Sequence, residues 1–443
     1  MPSLMTFTAS APLRGTVAVP GDKSISHRAL MLSALAIGES RIEGLLEGED
    51  VLATAAAMRA MGAQIERGSD HIWRVHGVGV GGLLQPQSAL DMGNSGTSTR
   101  LLMGLVSSHA ITVTFTGDAS LSRRPMGRVI DPLGLMGADF TASPGGRLPL
   151  MVRGLCPAVP IRYRLPVASA QVKSAIMLAG LNTPGITQVI EPVPTRDHSE
   201  RMLAGFGARV EISEEDGARV IAVHGEAELQ PQTIIVPGDP SSAAFLMVAA
   251  LLVPGSDVTI TNVGVNPTRA GLIEVLKAMG GDIDMVQPRT MGGEPVVDLI
   301  VRHSALRGIE TDHAIVPSMV DEFPILFVAT AMAQGRSVLR GLDELRVKES
   351  DRIRVMADGL AAIGVRVEEV EDGLIIDGSG GDPLPGGSTI ESHLDHRIAM
   401  SFAVAGLVSK AGVTVDDMAP VATSFPGFVD LLKSLGGDLG RDD

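Results

Sequence analysis

Residues 19–28 read VPGDKSISHR, and the apolar run ALMLSALAIG follows directly in the sequence. Residues 236–245 repeat this pattern as VPGDPSSAAF and lead into a second apolar run. Pro, Gly and Asp favour a turn, and an Asp just before an apolar run is typical of a helix N-cap. The two copies therefore predict two matching turns, each followed by a buried helix, as in a duplicated domain.

A second pattern closes six segments of the chain: a bulky apolar residue, a glycine and then a β-like run. The glycines are 70 to 84 residues apart, which divides the chain into six units of similar length. A glycine after the last apolar residue of a helix is a C-cap signal, and the alternation that follows it indicates a strand. The six glycines are Gly62, Gly137, Gly207, Gly280, Gly364 and Gly436.

Each unit opens on a polar cluster, and most clusters lead into an apolar run that predicts a helix buried on all sides. The clusters are GDKSISHR, GNSGTSTR, SAQVKS, GDPSSA, SMVDEF and LDHR. We therefore predict an α/β fold of six units, each with one buried helix, one amphipathic helix and several strands. The periodicity suggests two domains of three units but does not by itself establish that grouping.

The composition argues against several classes of function. The chain has 443 residues, of which 45% are apolar and 20% charged, as in a soluble globular protein with two or more domains. A net charge of −15 and only 3% aromatic residues argue against nucleic acid or an anionic membrane as partner. The single cysteine, Cys156, allows no internal disulfide. The sequence shows no secretory signal and no apolar run of about 18 residues, so we expect a cytoplasmic protein.

Basic side chains are concentrated in and near the polar clusters, despite the negative net charge. Helix N-termini, lysine and arginine all bind anions, so these segments predict a site for a multiply anionic small molecule. The basic residues concerned are Lys23, Arg28, Arg100, Arg123, Arg124, Arg128, Lys173, Arg196, Arg346, Lys348, Arg352, Arg354 and Arg397. An alternative stays open for single segments, because KESDR at 348–352 also suits an exposed helix face with i, i+3 pairing.

The sequence offers no convincing nucleotide-binding or metal-binding motif. GVGVGG at 77–82 matches the dinucleotide fingerprint by letter, but Pro86 interrupts the helix that must follow it. The chain contains no Gly-Lys pair and hence no P-loop. His393, Asp395 and His396 are metal-ligand types, yet an Asp before a long apolar run is more simply an N-cap. We therefore expect no metal and no cofactor.

Taken together and in order, six segments resemble the 5-enolpyruvylshikimate-3-phosphate synthase family from about residue 12 to 430. They are VPGDKSISHR, GNSGT, GDASLSRRPMGR, ASAQVKSA, VKESDR and LDHRIAMSF. RDHSE, SAQVK and NPTR further resemble the class II branch. The resemblance implies a two-domain inside-out α/β barrel with three βαβαββ repeats per domain. It implies an N-terminal domain of residues 21–236 on the shikimate 3-phosphate side, a C-terminal domain of residues 1–20 and 237–443, and a substrate cleft and hinge between them.

The implied reaction transfers the enolpyruvyl group of phosphoenolpyruvate to the 5-hydroxyl of shikimate 3-phosphate and releases phosphate. It proceeds by addition and elimination through a tetrahedral intermediate, and it belongs to the shikimate pathway of aromatic amino acid biosynthesis. We expect a monomer. One alternative is the related transferase that acts on UDP-N-acetylglucosamine, which carries a Lys-Asn pair where this chain has Lys23-Ser24. The other is a non-catalytic binder of anionic metabolites, against which the intact Asp321, Lys348 and Glu349 argue.

The resemblance also implies roles for single residues. Those matched to shikimate 3-phosphate binding are Lys23, Ser24, Arg28, Ser169, Ala170, Gln171, Arg196, Asp321 and Lys348. Those matched to phosphoenolpyruvate binding are Lys23, Gly96, Arg124, Gln171, Arg352 and Arg397. Asp321 would take the proton of the attacking hydroxyl, Glu349 is the candidate donor to the methylene carbon, and Lys23 and Lys348 complete the catalytic set.

Two positions bear on phosphoenolpyruvate binding and on inhibition by glyphosate. Many relatives carry a lysine just before the TFP segment of the last unit. This chain has Thr423 at that place, and the class II branch also lacks the lysine. Gly96 is retained, whereas some glyphosate-tolerant relatives have an alanine at that place. We therefore expect a glyphosate target with partial tolerance at most.

Overall fold

The computed structural model describes residues 4–437, and the chain divides into two compact units. We call the continuous segment Gly21–Val236 the central unit. The other, called the split unit, combines Met1–Pro20 with Pro237–Asp443. Each unit has its own hydrophobic core.

The α-helices of the described residues follow in chain order. They are α1 (Lys23–Leu35), α2 (Glu49–Ala60), α3 (Gly96–Ser107), α4 (Gly127–Leu135), α5 (Ala170–Leu181), α6 (His198–Gly205), α7 (Pro240–Leu252), α8 (Gly271–Ala278), α9 (Phe323–Met332), α10 (Arg352–Ala362), α11 (His396–Gly406) and α12 (Phe428–Ser434).

The strands of the described residues are mostly short. They are β1 (Met5–Phe7), β2 (Arg14–Ala18), β3 (Glu39–Glu43), β4 (Gln64–Arg67), β5 (Trp73–His76), β6 (Leu90–Asp91), β7 (Thr112–Thr116), β8 (Asp139–Ser143), β9 (Arg147–Arg153), β10 (Arg162–Arg164), β11 (Ile186–Glu191), β12 (Val210–Glu215), β13 (Ala218–His224), β14 (Thr233–Ile235), β15 (Asp257–Gly264), β16 (Asp282–Met291), β17 (Glu294–Arg302), β18 (Arg336–Leu339), β19 (Arg366–Val370), β20 (Gly373–Asp377), β21 (Thr389–Ile390) and β22 (Val413–Val415).

The central unit contains three four-stranded sheets and the buried helices α1, α3 and α5. The strand orders are β14-β3-β5-β4, β6-β7-β9-β8 and β10-β11-β13-β12. Each sheet has one parallel pair followed by two antiparallel pairs. The parallel pair β14-β3, in which Ile234 lies opposite Ile42, joins the last strand of the unit to its first.

The split unit is built in the same way around α7, α9 and α11. Its sheets have the orders β16-β17-β15-β2, β18-β20-β19 and β1-β22-β21. The N-terminal strands belong here because β2 pairs with β15, Thr16 opposite Thr259, and β1 pairs with β22. The three central helices of each unit are buried on nearly all sides, as their apolar sequences predict.

The six repeat glycines end the six outer helices α2, α4, α6, α8, α10 and α12. Each follows the C-cap residue and has a φ between +88° and +106°, which side chains with a Cβ rarely adopt. The C-cap prediction is therefore confirmed at all six positions. The β-like run predicted after Gly436 lies at residues 438–439, outside the described part of the chain.

The two copies of the VPGD turn cap matching helices. The Asp22 carboxylate accepts a hydrogen bond from the N–H of Ile25 at 2.8 Å at the start of α1. The Asp239 carboxylate accepts one from the N–H of Ser241 at 2.8 Å at the start of α7. Both turns therefore start a buried helix, as their sequences predict.

Candidate active site

In the central unit, several predicted site residues lie at the starts of the three buried helices. Lys23 and Ser24 form the first turn of α1, and Gly96 is the first residue of α3. Residues 169–171 are the N-cap and the first two positions of α5. The first N–H groups of a helix have no partner within it, so these starts suit an anion.

Gln171 joins the starts of α3 and α5. Its side-chain oxygen accepts a hydrogen bond from Nη1 of Arg100 at 2.8 Å, and its Nε2 donates to the Thr97 hydroxyl at 3.0 Å. Two predicted anion-binding segments are thus adjacent within this unit.

Arg124 is buried beside the start of α3. Its Nη2 donates to Oδ1 of Asn94 at 2.6 Å and to the Ser120 hydroxyl at 3.1 Å. A Cβ added to Gly96 would lie 3.1 Å from Nη1 of Arg124 and 3.0 Å from Nη1 of Arg100. Gly96 therefore lets two guanidinium groups approach the start of α3, whereas Arg123, next in sequence to Arg124, is exposed.

Lys23 has a partner that the sequence analysis did not identify. Its ammonium group forms an ion pair with the buried carboxylate of Asp50, in the first turn of α2. Asp50 lies 27 residues further along the chain, in a segment outside the repeated polar clusters. This carboxylate orients the Lys23 ammonium.

His27 is fully buried and connects α1 with α2 and α3. Its Nδ1 lies 2.8 Å from Oγ1 of Thr54 and 3.2 Å from Oγ of Ser98, and those two hydroxyls are 2.5 Å apart. Burial, together with the charges of Lys23 and Arg28, lowers the pKa of His27 well below its usual value. His27 is therefore a neutral structural link beneath the helix starts.

Arg28 lies in the second turn of α1 and reaches α5 and α6. Its Nη2 donates to the Ser174 hydroxyl at 2.7 Å, and its Nε donates to the Ser199 hydroxyl at 2.8 Å. Its Nη1 also donates to the carbonyl of Ser24 at 3.0 Å. The contact with Ser199 brings the segment of the predicted residue Arg196, which is half-buried, to α1.

The structure corrects the interpretation of Lys173 as an anion-binding residue. Its side chain is fully buried, with Nζ 3.0 Å from a carboxylate oxygen of Glu191 and 2.9 Å from one of Glu200. Two internal carboxylates already neutralise this lysine. On an α-helix, Gln171 and Lys173 point in different directions, which explains why only one of them faces α3.

In the split unit, Arg352 is the centre of a dense ionic cluster. It is only 1% exposed, and its Nε lies 2.9 Å from Oδ2 of Asp395. Its Nη2 lies 2.5 Å from Oε2 of Glu349, and its Nη1 lies 3.5 Å from Oδ1 of Asp321. Burial would lower the pKa of Arg352, but the carboxylates of Asp395 and Glu349 outweigh it and raise the pKa, so the guanidinium stays charged.

Asp395 caps α11, as the sequence predicts, and also anchors the cluster, which the sequence does not predict. Its Oδ1 accepts the N–H of Arg397 at 3.0 Å, and its Oδ2 accepts the Ser350 hydroxyl at 3.0 Å. Burial would raise the pKa of Asp395, yet the charge of Arg352 outweighs burial and holds that pKa below its usual value.

The remaining predicted residues of this unit lie in the same cluster. Nζ of Lys348 is 3.4 Å from Oδ1 of Asp321. Nη1 of Arg397 donates to the Asp321 carbonyl at 2.8 Å and lies 3.4 Å from Oε1 of Glu322. The buried Glu322 carboxylate, which the sequence analysis missed, also accepts the hydroxyl of Ser241.

The alternative interpretation of KESDR as an exposed helix face is wrong, because Arg352 is buried although it does pair with Glu349 at i, i+3. Two neighbouring arginines are structural instead. Arg346 lies 3.0 Å from carboxylate oxygens of Asp351 and of Glu369, and Arg354 also pairs with Glu369.

Thr423 is buried, and its hydroxyl donates to the carbonyl of Pro420 at 2.7 Å. This threonine is occupied in its own turn and supplies no charge in place of the lysine of other relatives.

The cluster of the split unit combines two kinds of chemistry. Lys348, Arg352 and Arg397 place three positive charges in this cluster, and the guanidinium fork suits a phosphate or a carboxylate. Asp321 and Glu349 are carboxylates within reach of those cations, and carboxylates are common general acids and bases. An anionic substrate bound here would have proton-transfer groups beside it.

Comparison with known proteins decides the family. The family model for EPSP synthase (3-phosphoshikimate 1-carboxyvinyltransferase) matches residues 7–432. The chain belongs to the EPSP synthase family. It is 74% identical over 435 residues to the 3-phosphoshikimate 1-carboxyvinyltransferase of Sphingopyxis alaskensis, covering 97% of this chain and 98% of that one. The protein of that name from Novosphingobium aromaticivorans is 71% identical over 432 residues, with the same coverage.

Solved structures agree with this assignment. EPSP synthase from Acinetobacter baumannii superposes with a TM-score of 0.87 at 48% identity, covering 99% of both chains. The enolpyruvyl transferase NikO from Streptomyces tendae has a TM-score of 0.79 at 20% identity, over 98% of each chain, and shows the shared fold alone.

These findings confirm several predictions made from the sequence. The family, the two-domain enolpyruvyl transferase fold and the class of enzyme, a transferase of the shikimate pathway, are those that the six motifs indicate. The alternatives of a UDP-N-acetylglucosamine enzyme and of a non-catalytic binder are not favoured. Across residues 4–437, no helix is both long enough and apolar enough to span a bilayer.

Proposed function

We propose that this chain transfers the carboxyvinyl group of phosphoenolpyruvate to the 5-hydroxyl of shikimate 3-phosphate and releases phosphate. The observation that carries the proposal is the joining of Asp321, Lys348 and Glu349 to two arginines in one ionic cluster, in a chain that matches the family along almost its whole length. The two substrates together carry two phosphates and two carboxylates, so binding them requires several cations.

The addition step needs a base and an acid. Asp321 would take the proton of the 5-hydroxyl while the oxygen of that hydroxyl attacks C2 of phosphoenolpyruvate. Lys348, whose Nζ is 3.4 Å from Oδ1 of Asp321, would hold the same hydroxyl. Glu349 would give a proton to the methylene carbon, which becomes a methyl group in the tetrahedral intermediate. In the elimination step the methyl group loses a proton, the double bond re-forms and phosphate leaves.

The binding roles divide between the two units. In the central unit, Ser24, Arg28, residues 169–171 and Arg196 would bind shikimate 3-phosphate, and Lys23 would contact both substrates. The proposed contacts to phosphoenolpyruvate are Lys23, Gly96, Arg124, Gln171, Arg352 and Arg397. Guanidinium groups that are already held by neighbouring groups, as Arg124 is by Asn94, bind an anion with little loss of conformational entropy.

The decisive experiment measures phosphate release from phosphoenolpyruvate with shikimate 3-phosphate present and absent. We expect release only when it is present, and no turnover with UDP-N-acetylglucosamine in its place. Asp321→Asn should lower kcat about 10²- to 10⁴-fold, the usual contribution of a positioned general base, while both substrates still bind.

A matched control is Asp312→Asn, because Asp312 is an exposed N-cap that accepts the N–H of Ala314 at 2.9 Å and asparagine caps equally well. Near-full turnover in Asp321→Asn would refute the assignment of the base. We also propose a monomeric cytoplasmic enzyme, and light scattering on the purified chain tests the monomer.

A further inference from the structure

A buried ionic cluster of the central unit has no part in the proposed chemistry. It consists of Lys173 on α5, Glu191 at the end of β11 and Glu200 on α6, whose side chains are at most 2% exposed. Arg219 lies at its edge, 3.9 Å from Glu200. Burying charges costs several kcal/mol per ion even when they pair, so general stabilisation does not account for this cluster.

The cluster holds Thr195 by all of its polar groups. The Thr195 N–H donates to Oε1 of Glu191 at 3.1 Å, and its hydroxyl donates to the same oxygen. The Thr195 carbonyl accepts a hydrogen bond from Nζ of Lys173 at 3.5 Å. The backbone on the N-terminal side of Arg196 is therefore fixed to β11 and α5.

Ser174, which follows Lys173 on α5, holds the other end of the segment that begins at Thr195. The Ser174 hydroxyl is 2.7 Å from the Ser199 hydroxyl, and Arg28 donates to both. Residues 195–199 are thus attached at both ends to two consecutive residues of one helix, and Arg196 lies within that short span.

We propose that Glu191, Thr195 and Lys173 are positioning residues that fix Arg196 for the anionic groups of shikimate 3-phosphate. The inference rests on the proposed function. An arginine on a free loop would lose conformational entropy on binding, whereas one on a fixed backbone binds its anion in a prepared geometry. The cluster acts through Arg196 and touches no substrate.

Thr195→Val tests the proposal, because valine keeps the shape of threonine but removes the hydroxyl that Glu191 accepts. We expect the KM for shikimate 3-phosphate to rise about tenfold or more, the effect of one lost hydrogen bond to a charged group. The kcat and the KM for phosphoenolpyruvate should stay within about twofold, since the loss of one local hydrogen bond leaves distant groups in place. Thr195→Ser restores the hydroxyl and should restore the wild-type KM.

Thr187→Val is the matched control, and it lies on β11, the strand that ends at Glu191. Thr187 is also buried, but its hydroxyl has no hydrogen-bond partner within residues 4–437. This variant should leave both KM values unchanged. An unchanged KM for shikimate 3-phosphate in Thr195→Val, or an equal loss in kcat and in both KM values, would overturn the positioning role. Wild-type protein that releases no phosphate would instead overturn the proposed function, and the positioning role with it.

Discussion

Asp395→Asn tests whether the buried guanidinium of Arg352 depends on this one carboxylate. The substituted side chain would still cap α11, because asparagine and aspartate are equally good N-caps, so the substitution removes the charge and little else. Asp395 is fully buried, and its two oxygens lie 2.9 and 3.3 Å from nitrogens of Arg352. The change therefore leaves Arg352 with the carboxylates of Glu349 and Asp321 as its charged partners among the described residues.

The expected loss of stability follows from that geometry. Removing one partner of a buried ion pair costs about 3–5 kcal/mol, because the remaining charge is left in a medium that solvates it poorly. Since Glu349 still lies 2.5 Å from Arg352, we place the loss near the lower end, at about 3 kcal/mol. The KM for phosphoenolpyruvate should rise at least about tenfold, because Arg352 is no longer held in one orientation.

The pH dependence has a definite sign. The folded-state pKa of Asp395 is depressed, so its contribution to stability is present above the unfolded value of about 3.9 and is lost as the pH falls below that value. The difference in unfolding free energy between wild type and variant should therefore be constant from about pH 6 to 8 and shrink below about pH 4. Urea denaturation followed by circular dichroism measures it.

Asp351→Asn is the matched control. Asp351 also caps a helix, accepting the N–H of Arg354 at 3.1 Å, and also pairs with an arginine, Arg346 at 3.0 Å, but its side chain is 40% exposed. An exposed pair contributes about 0–1 kcal/mol, so this variant should lose no more than that. If Asp395→Asn loses no more than Asp351→Asn, the reasoning from burial is refuted.

Two further predictions concern the central unit. Gly96→Ala should raise the KM for phosphoenolpyruvate about tenfold and weaken glyphosate inhibition, because the new Cβ would displace the ends of Arg100 and Arg124 by a few tenths of an ångström. Steady-state kinetics should show an unchanged KM for shikimate 3-phosphate. An unchanged KM for phosphoenolpyruvate would contradict the crowding argument. His27 should keep a neutral ring at about pH 6.5, since burial lowers its pKa. The stability of the folded state should therefore fall as the pH drops below about 6.5, because the unfolded chain takes up a proton there and the folded chain does not. NMR of the imidazole resonances measures the protonation of His27, and a titration near pH 6.5 would contradict the prediction.

Features that depend on a few consecutive residues were predictable from the sequence. A C-cap glycine, or the aspartate that caps α1 or α7, acts within one turn, so the pattern MRAMGAQI, or VPGD with the three residues after it, already contains the interacting groups. The same holds for the buried helices, whose apolar residues occupy nearly all sides. The motif resemblance then supplied the grouping of the six units, which periodicity alone left open.

The partners of the charged groups were not predictable in this way. Lys23 and Lys173 both lie at the starts of buried helices, yet the half-buried Lys23 pairs with one carboxylate, that of Asp50, whereas Lys173 is fully enclosed by Glu191 and Glu200. The two lysines look alike in the sequence because their partners lie 18 to 27 residues away on other elements.

Arg352 shows the same division between local sequence and folded structure. The order of residues was enough to specify the repeats, the helix starts and the set of basic residues available for an anionic substrate. Folding then established that Asp395, 43 residues away, holds Arg352, that Glu322 holds Arg397, and that Lys173 is unavailable to a substrate. The physical reason is that the state of a charge depends on its burial and its counter-charge, and distant segments supply both when the chain folds.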